Sequence, residues 1–108
     1  MATKSIVDKD GKKRKTCYLC GRYGVEEHHL IGSYNRKWSE KYGLKIYICR
    51  SCHEKAHSVP YFALELKCLG QEEFEKKYGT REYFFSIFGK DYIGYKEYLD
   101  KKGIKDGI

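Results

Sequence analysis

Four of the five cysteines and all four histidines of this 108-residue chain are spaced for metal chemistry. Cys17-x2-Cys20 and Cys49-x2-Cys52 form two knuckles separated by residues 21–48. Thiolates in such pairs close a tetrahedral zinc site at about 2.3 Å per bond. The separation exceeds the roughly 15–20 residues of common zinc ribbons. His28, His29, His53 and His57 all fall between or just beyond the knuckles, so one zinc would draw them together. On a strand, neighbouring His28 and His29 point to opposite faces, whereas on a helix His53 and His57, four apart, share one. A strand histidine with two helix histidines suits a second divalent ion, and the remaining His29 can take a proton near neutral pH. A different pairing uses the same residues: C-x2-C followed by H-x3-H is also a zinc-finger pattern, with His53 or His57 replacing a cysteine in the first site. Cys68, unpaired on a helical stripe, reads as a small core residue.

The elements that must position these groups follow from periodicity and punctuation. Residues 25–31 read as a short strand, Gly32 and Asn35 bound a loop, and residues 37–42 suit a helical turn. Leu44, Ile46 and Ile48 alternate with Lys45 and Tyr47, giving a second strand that ends at Cys49. Residues 51–57 have helical composition and stop before Pro60. Beyond it, Phe62, Leu66 and Leu69 fall on one stripe, Phe74 and Tyr78 are four apart, and Gly70 is a point of interruption. Thr80 and Asp91 are placed to cap two further helices, through Phe84, Ile87 and Phe88 and through Tyr92, Tyr95, Tyr98 and Leu99, whose aromatics are expected in the core. The last residues, 101–108, are expected to fray.

The fold class expected is therefore α+β, a small two-strand and helix core stapled by a four-cysteine zinc site and followed by a helical extension. The divisions are a flexible basic arm over residues 1–16, a core over 17–58 and the helical extension over 59–108. Length allows one small domain, for which a bound metal offsets a modest core. Hydrophobic residues at 41% exclude a disordered tail, and charged residues at 34% exclude a membrane protein. Residues 1–16 hold no apolar run suited to a signal peptide, so the expected compartment is the cytoplasm, where thiols stay reduced. Of the net +7, residues 1–16 carry six basic against two acidic residues, residues 17–57 seven against four, and residues 58–108 nine against nine. An excess of positive charge confined to one half suits a polyanion, and nucleic acid is the leading partner.

Together, Cys17-Tyr18-Leu19-Cys20, Val25-Glu26-Glu27-His28-His29-Leu30-Ile31 and Tyr47-Ile48-Cys49-Arg50-Ser51-Cys52-His53-Glu54-Lys55-Ala56-His57 resemble the HNH endonucleases. These are ββα-metal nucleases, and the likeness is to the cysteine-bearing type often found in phage and mobile elements. The resemblance spans about residues 17–57. It implies a hairpin and helix around one divalent ion, with zinc from the knuckles holding them together. It also implies His28 as first metal ligand, His29 as general base, His53 as helix ligand and His57 as a further one. The middle Asn of the family name would stand near Leu44 or Lys45, and neither is Asn. Asn35 lies in the preceding loop, and a main-chain carbonyl is another means of orienting His29.

The function expected from this is a DNA endonuclease hydrolysing phosphodiester bonds. His29 would activate water, a divalent ion on His28, His53 and His57 would stabilise the phosphoryl charge, and Arg36, Lys37, Arg50 and Lys55 would hold phosphates. Nickel, manganese, cobalt, zinc or magnesium suits that ion, beside a structural zinc on Cys17, Cys20, Cys49 and Cys52. The neutral half is a candidate homodimer surface. A non-catalytic zinc module that binds nucleic acid or mediates contacts is the alternative.

Overall fold

The computed structural model describes residues 4–103 and is an α+β fold. Its elements run α1 (Gly11–Arg14), β1 (Glu26–His29), a 3-10 turn (Ser33–Asn35), α2 (Arg36–Tyr42), β2 (Lys45–Ile48), α3 (Arg50–Ser58), α4 (Pro60–Lys77), α5 (Arg81–Phe88) and α6 (Tyr92–Lys102). β1 and β2 pair antiparallel, with Glu26 opposite Ile48, Glu27 opposite Tyr47, His28 opposite Ile46 and His29 opposite Lys45. Because side chains alternate, Glu26 and His28 share one face with Ile46 and Ile48, while Glu27 and His29 share the other with Lys45 and Tyr47.

β1 is shorter than the strand expected over residues 25–31. Leu30 still donates its N–H to the Leu44 carbonyl at 2.9 Å, but Ile31 is captured by α2. Buried Ser39 accepts the Ile31 N–H at 3.2 Å and donates to the Ile31 carbonyl at 2.6 Å, so a side chain replaces the next ladder partner. α2 ends at Gly43, whose φ of +72° is left-handed, and a Cβ there would lie 2.4 Å from the Lys4 carbonyl oxygen.

The basic arm departs from expectation. From Lys4 onward it is not a free tail: it lies along the outer edge of β2. Ile6 N–H donates to the Gly43 carbonyl, Tyr47 N–H donates to Asp8 Oδ2 at 2.9 Å, and Ser5 Oγ donates to the Lys45 carbonyl. Asp8 is buried and salt-bridged to Arg14 at 2.9 Å. All four β2 residues are buried, so the strand's outward backbone groups need partners, and polar residues of the arm supply them. Hydropathy periodicity cannot register a segment held by polar bonds.

α4 packs on α3 and α6, and it is continuous through Gly70. A Cβ at that position would meet Leu30 Cβ at 3.1 Å, so the glycine serves close approach of helix to hairpin rather than a break. Thr80 and Asp91 cap α5 and α6 as expected, accepting the N–H groups of Tyr83 and Gly94, each at 3.1 Å. One core joins Leu30, Ile31, Leu44, Ile46 and Ile48 of the hairpin region to Leu66, Phe74, Phe84 and Phe88 of the helices. Phe74 is the hub of the rings, 5.2 Å from Tyr42 and 5.4 Å from Phe84. Cys68 is buried, as expected. Tyr95 and Tyr98 are not core: they are more than half exposed, and Leu99 alone of that α6 set is buried. Of the residues expected to fray, 101 and 102 are helical and 104–108 lie outside the described residues. Among the described residues no helix is long and apolar enough to cross a membrane.

Candidate functional site

The two knuckles meet. The sulfurs of Cys17, Cys20, Cys49 and Cys52 all lie within 4.8 Å of one another, with Cys20 Sγ 3.5 Å from Cys49 Sγ. Cys17 Sγ accepts the N–H groups of Leu19 and Cys20 at 3.3 and 3.4 Å, the turn that a C-x2-C pair makes when its sulfur is charged. The first knuckle is stitched to β2 by Tyr18 N–H on the Tyr47 carbonyl at 2.9 Å, and Cys49 opens α3. Burial works against the Cys17 thiolate, yet N–H groups of Cys49, Cys20 and Leu19 pull its pKa down to about 6, whereas burial and the neighbouring thiols push Cys52 up to about 12. Four soft donors at this spacing can hold a metal ion such as zinc.

A second group forms one turn further along α3. His53 and His57 share a helix face, as the four-residue spacing requires, and His28 reaches them from β1. Ring centroids lie 5.1 Å apart for His28 and His53, 5.5 Å for His28 and His57, and 4.9 Å for His53 and His57. One nitrogen from each lies within 4.8 Å of the others. The imidazoles thus gather apart from the thiols, so neither helix histidine stands among the four cysteines. Burial first, then the charges of its histidine neighbours, depress His28 to about 4, which keeps it neutral, the form that ligates metal. His53 Nδ1 is 2.7 Å from Glu26 Oε1, and that carboxylate also holds Arg50 at 2.9 Å. With Nδ1 occupied, His53 presents Nε2 to its partners. The His53 hydrogen bond, with Arg50 beyond it, keeps Glu26 below the usual carboxylate range.

His29 points the other way along the strand pleat. Its Nε2 lies 2.9 Å from Glu40 Oε1 and 3.7 Å from Glu27 Oε1. Both carboxylates also grip Lys45, whose buried ammonium is 2.9 Å from Glu40 Oε2 and 3.3 Å from Glu27 Oε2. Burial alone would lower the Lys45 pKa, but the two carboxylates outweigh it and raise it. Glu27, His29 and Glu40 have ligand-like spacing, yet the Lys45 ammonium already supplies the cation between the two acids. The set is an ion-pair network that fixes the His29 ring.

A cleft of about 530 Å³ brings both faces of the site to solvent: His28, His53 and His57 line it together with Glu27 and His29. The expected phosphate-binding residues divide. Arg36 lines this cleft, whereas Lys37 lies over Tyr34 and Trp38, Lys55 lies over Phe62, and Arg50 is paired to Glu26. Asn35 also lines the cleft, but its side-chain amide is engaged with the Phe88 carbonyl at 2.9 Å. The contact to His29 comes from Glu40 on α2, and Leu44 and Lys45 stand where the resemblance expected Asn.

Compared with known proteins, the chain matches no family model, no curated protein and no solved structure. Sequence reasoning missed Glu26, Glu27, Glu40 and Lys45. Strand alternation was signal enough for Glu26, two residues before His28 on the same face, and for Glu27 beside His29. Glu40 reaches His29 only through the path of the intervening turn, which no spacing rule encodes.

Proposed function

We propose that the chain is a metal-dependent endonuclease that hydrolyses phosphodiester bonds in DNA, with zinc on the four cysteines as a structural clamp. The observation that carries this reading is the convergence of His28, His53 and His57 in the cleft that His29 also lines. Three imidazole nitrogen donors with an open side suit a divalent ion, and four thiols suit a closed structural site. When bound to the imidazoles, such an ion supplies Lewis-acid stabilisation of charge at the phosphoryl oxygens.

The chain's own residues supply the proton chemistry. A Glu40 carboxylate accepts from His29 Nε2–H, so Nδ1 carries the lone pair. That nitrogen removes a proton from water as the water oxygen bonds to phosphorus. The bond to the 3′ oxygen breaks, the departing oxygen takes a proton from solvent, and the imidazolium returns its own proton to solvent. A positioned base of this kind contributes about 10²–10⁴-fold. Arg36 offers the substrate a cation at the cleft, independent of base sequence.

The test is plasmid DNA incubated with the purified chain and a series of divalent ions. Nicked or linear product is expected, and His29→Ala abolishes it. Cleavage undiminished in that variant removes His29 from the mechanism, and no cleavage with any ion leaves a zinc-bearing nucleic-acid-binding module.

A further inference from the structure

The excess positive charge in the sequence lies before residue 58, yet the cleft beside the histidines is walled on its far side by the neutral half. Lys67 of α4 and Lys90, in the link between α5 and α6, line it with Tyr92. We infer that this wall is a binding site for the nucleic-acid backbone, with Lys67 and Lys90 each holding a phosphate near the one being cut. The inference rests on the endonuclease reading for the identity of the polyanion.

Three observations support it. Neither lysine forms an ion pair among the described residues, in contrast to Lys45 and Arg50, which are neutralised by carboxylates. Among the described residues Glu27 is the one acidic side chain on the cleft lining, and it is already paired to Lys45 at 3.3 Å. Arg36, Lys67 and Lys90 therefore leave the cleft with uncompensated positive charge facing the imidazoles.

The wall is also held in place. Lys67 lies over the Tyr92 ring at 5.6 Å from its centroid, and that ring packs edge-on to Phe84 at 6.3 Å. Lys90 is followed at once by Asp91, which caps α6 and accepts from the Gln71 amide at 2.9 Å, so the link is pinned to α4.

Finally, the wall is shared. A second cleft of about 580 Å³ is also lined by Lys67, Lys90 and Tyr92. The two lysines are shared by both clefts, which suits a strand that continues past the imidazoles better than a small anion that stops among them. Lysines acting as point charges on phosphate add affinity without reading bases.

Fluorescence anisotropy with a short labelled DNA duplex tests this, using the full chain with His29→Ala so that the probe survives. Each phosphate contact contributes a slope of about 0.9 in log K against log salt. Exposed Lys90→Ala should lower the slope by about 1, Lys67→Ala/Lys90→Ala by about 2, and Lys67→Arg/Lys90→Arg should restore affinity. Lys76→Ala/Lys102→Ala, on α4 and α6 but outside the cleft, is the comparison. An unchanged slope in Lys90→Ala and the double variant, or an equal fall in the comparison, overturns the inference. The endonuclease reading fails separately: a parent chain that binds with these slopes but cuts no plasmid loses its reaction and keeps its wall.

Discussion

Glu40 Oε1 accepts from His29 Nε2 at 2.9 Å while its second oxygen accepts from Lys45 Nζ at the same distance. One carboxylate on α2 thereby ties the ring of a β1 residue to the ammonium of the residue opposite it on β2. Facing the lysine ammonium, an ionised carboxylate has only acceptors to offer, which favours the His29 tautomer that donates from Nε2.

Glu40→Gln should therefore separate positioning from packing. The amide has one acceptor oxygen for two donors, so either the His29 ring or the Lys45 ammonium loses its partner. In plasmid nicking under saturating DNA, kcat should fall about 10–100-fold with KM nearly unchanged, as for other groups that orient a reactive histidine. Glu40→Asp, which keeps the charge on a shorter stem, should recover part of the loss. A KM rise with kcat intact would instead assign Glu40 to substrate binding. Lys45→Met is the structural counterpart: it leaves Glu27 and Glu40 facing each other without their buried cation and should cost on the order of 3–5 kcal/mol in urea unfolding.

The carboxylate behind the imidazole group makes a different prediction. Glu26→Ala removes the partner of His53 Nδ1 and frees the ring to rotate away from His28 and His57. Affinity for manganese or nickel, measured by titration calorimetry on metal-stripped protein with zinc retained, should weaken about 10–100-fold. Arg50 loses its salt bridge in the same variant, but that pair is solvent-exposed on the arginine side and contributes at most about 1 kcal/mol to stability. An unchanged titration would mean that the imidazoles do not act as a site.

How much of this was readable in the chain depends on what each signal measures. The thiol cluster and the imidazole group follow from C-x2-C pairs and from strand and helix periods, which are geometric rules acting over a few residues. Both appeared with the residues expected: Cys17, Cys20, Cys49 and Cys52 in one, His28, His53 and His57 in the other. The Thr80 and Asp91 caps were legible for the same reason. The binding of residues 4–14 to β2 was not, because the Ser5 and Asp8 side chains bond to the β2 backbone about forty residues away along the chain. Nor was the Lys67 and Lys90 wall: charge summed along a sequence does not report the face on which it lands.

Metal removal distinguishes the two clusters. The purified chain should carry one firmly held zinc and one exchangeable ion. His53→Ala should lose only the second, by metal analysis after dialysis. Cys20→Ser should lose the zinc, and with it the bond between the first knuckle and α3. Structural zinc sites contribute about 10–16 kcal/mol of apparent binding energy in small domains, comparable with a whole domain's stability, so the cysteine variant should melt at far lower temperature or fail to fold. Zinc kept by Cys20→Ser and lost by His53→Ala would reverse the assignment.

Gln71 joins the C-terminal helices to one another and gives the sharpest stability test. It is fully buried on α4, its carbonyl oxygen accepts the N–H groups of Tyr92 and Ile93 at 2.8 and 3.3 Å, and its amide donates to Glu75 and to Asp91. Gln71→Leu fills similar space but strands the first N–H groups of α6 in a partly buried setting, a loss of about 1–3 kcal/mol in urea unfolding near neutral pH. The effect should also depend on acidity. Burial pushes the Asp91 carboxyl up, but the Gln71 amide, the Gly94 N–H and the Arg81 charge outweigh it and hold its pKa below the ordinary 3.8. A depressed carboxylate contributes stability that is complete above its unfolded value and disappears as pH falls through its folded one. The gap between wild type and Gln71→Leu should therefore narrow as pH drops below about 4, because protonated Asp91 no longer draws on the amide. A gap that stays constant down to full acid unfolding would mean that Gln71 acts through α6 alone, with no share in holding the Asp91 charge.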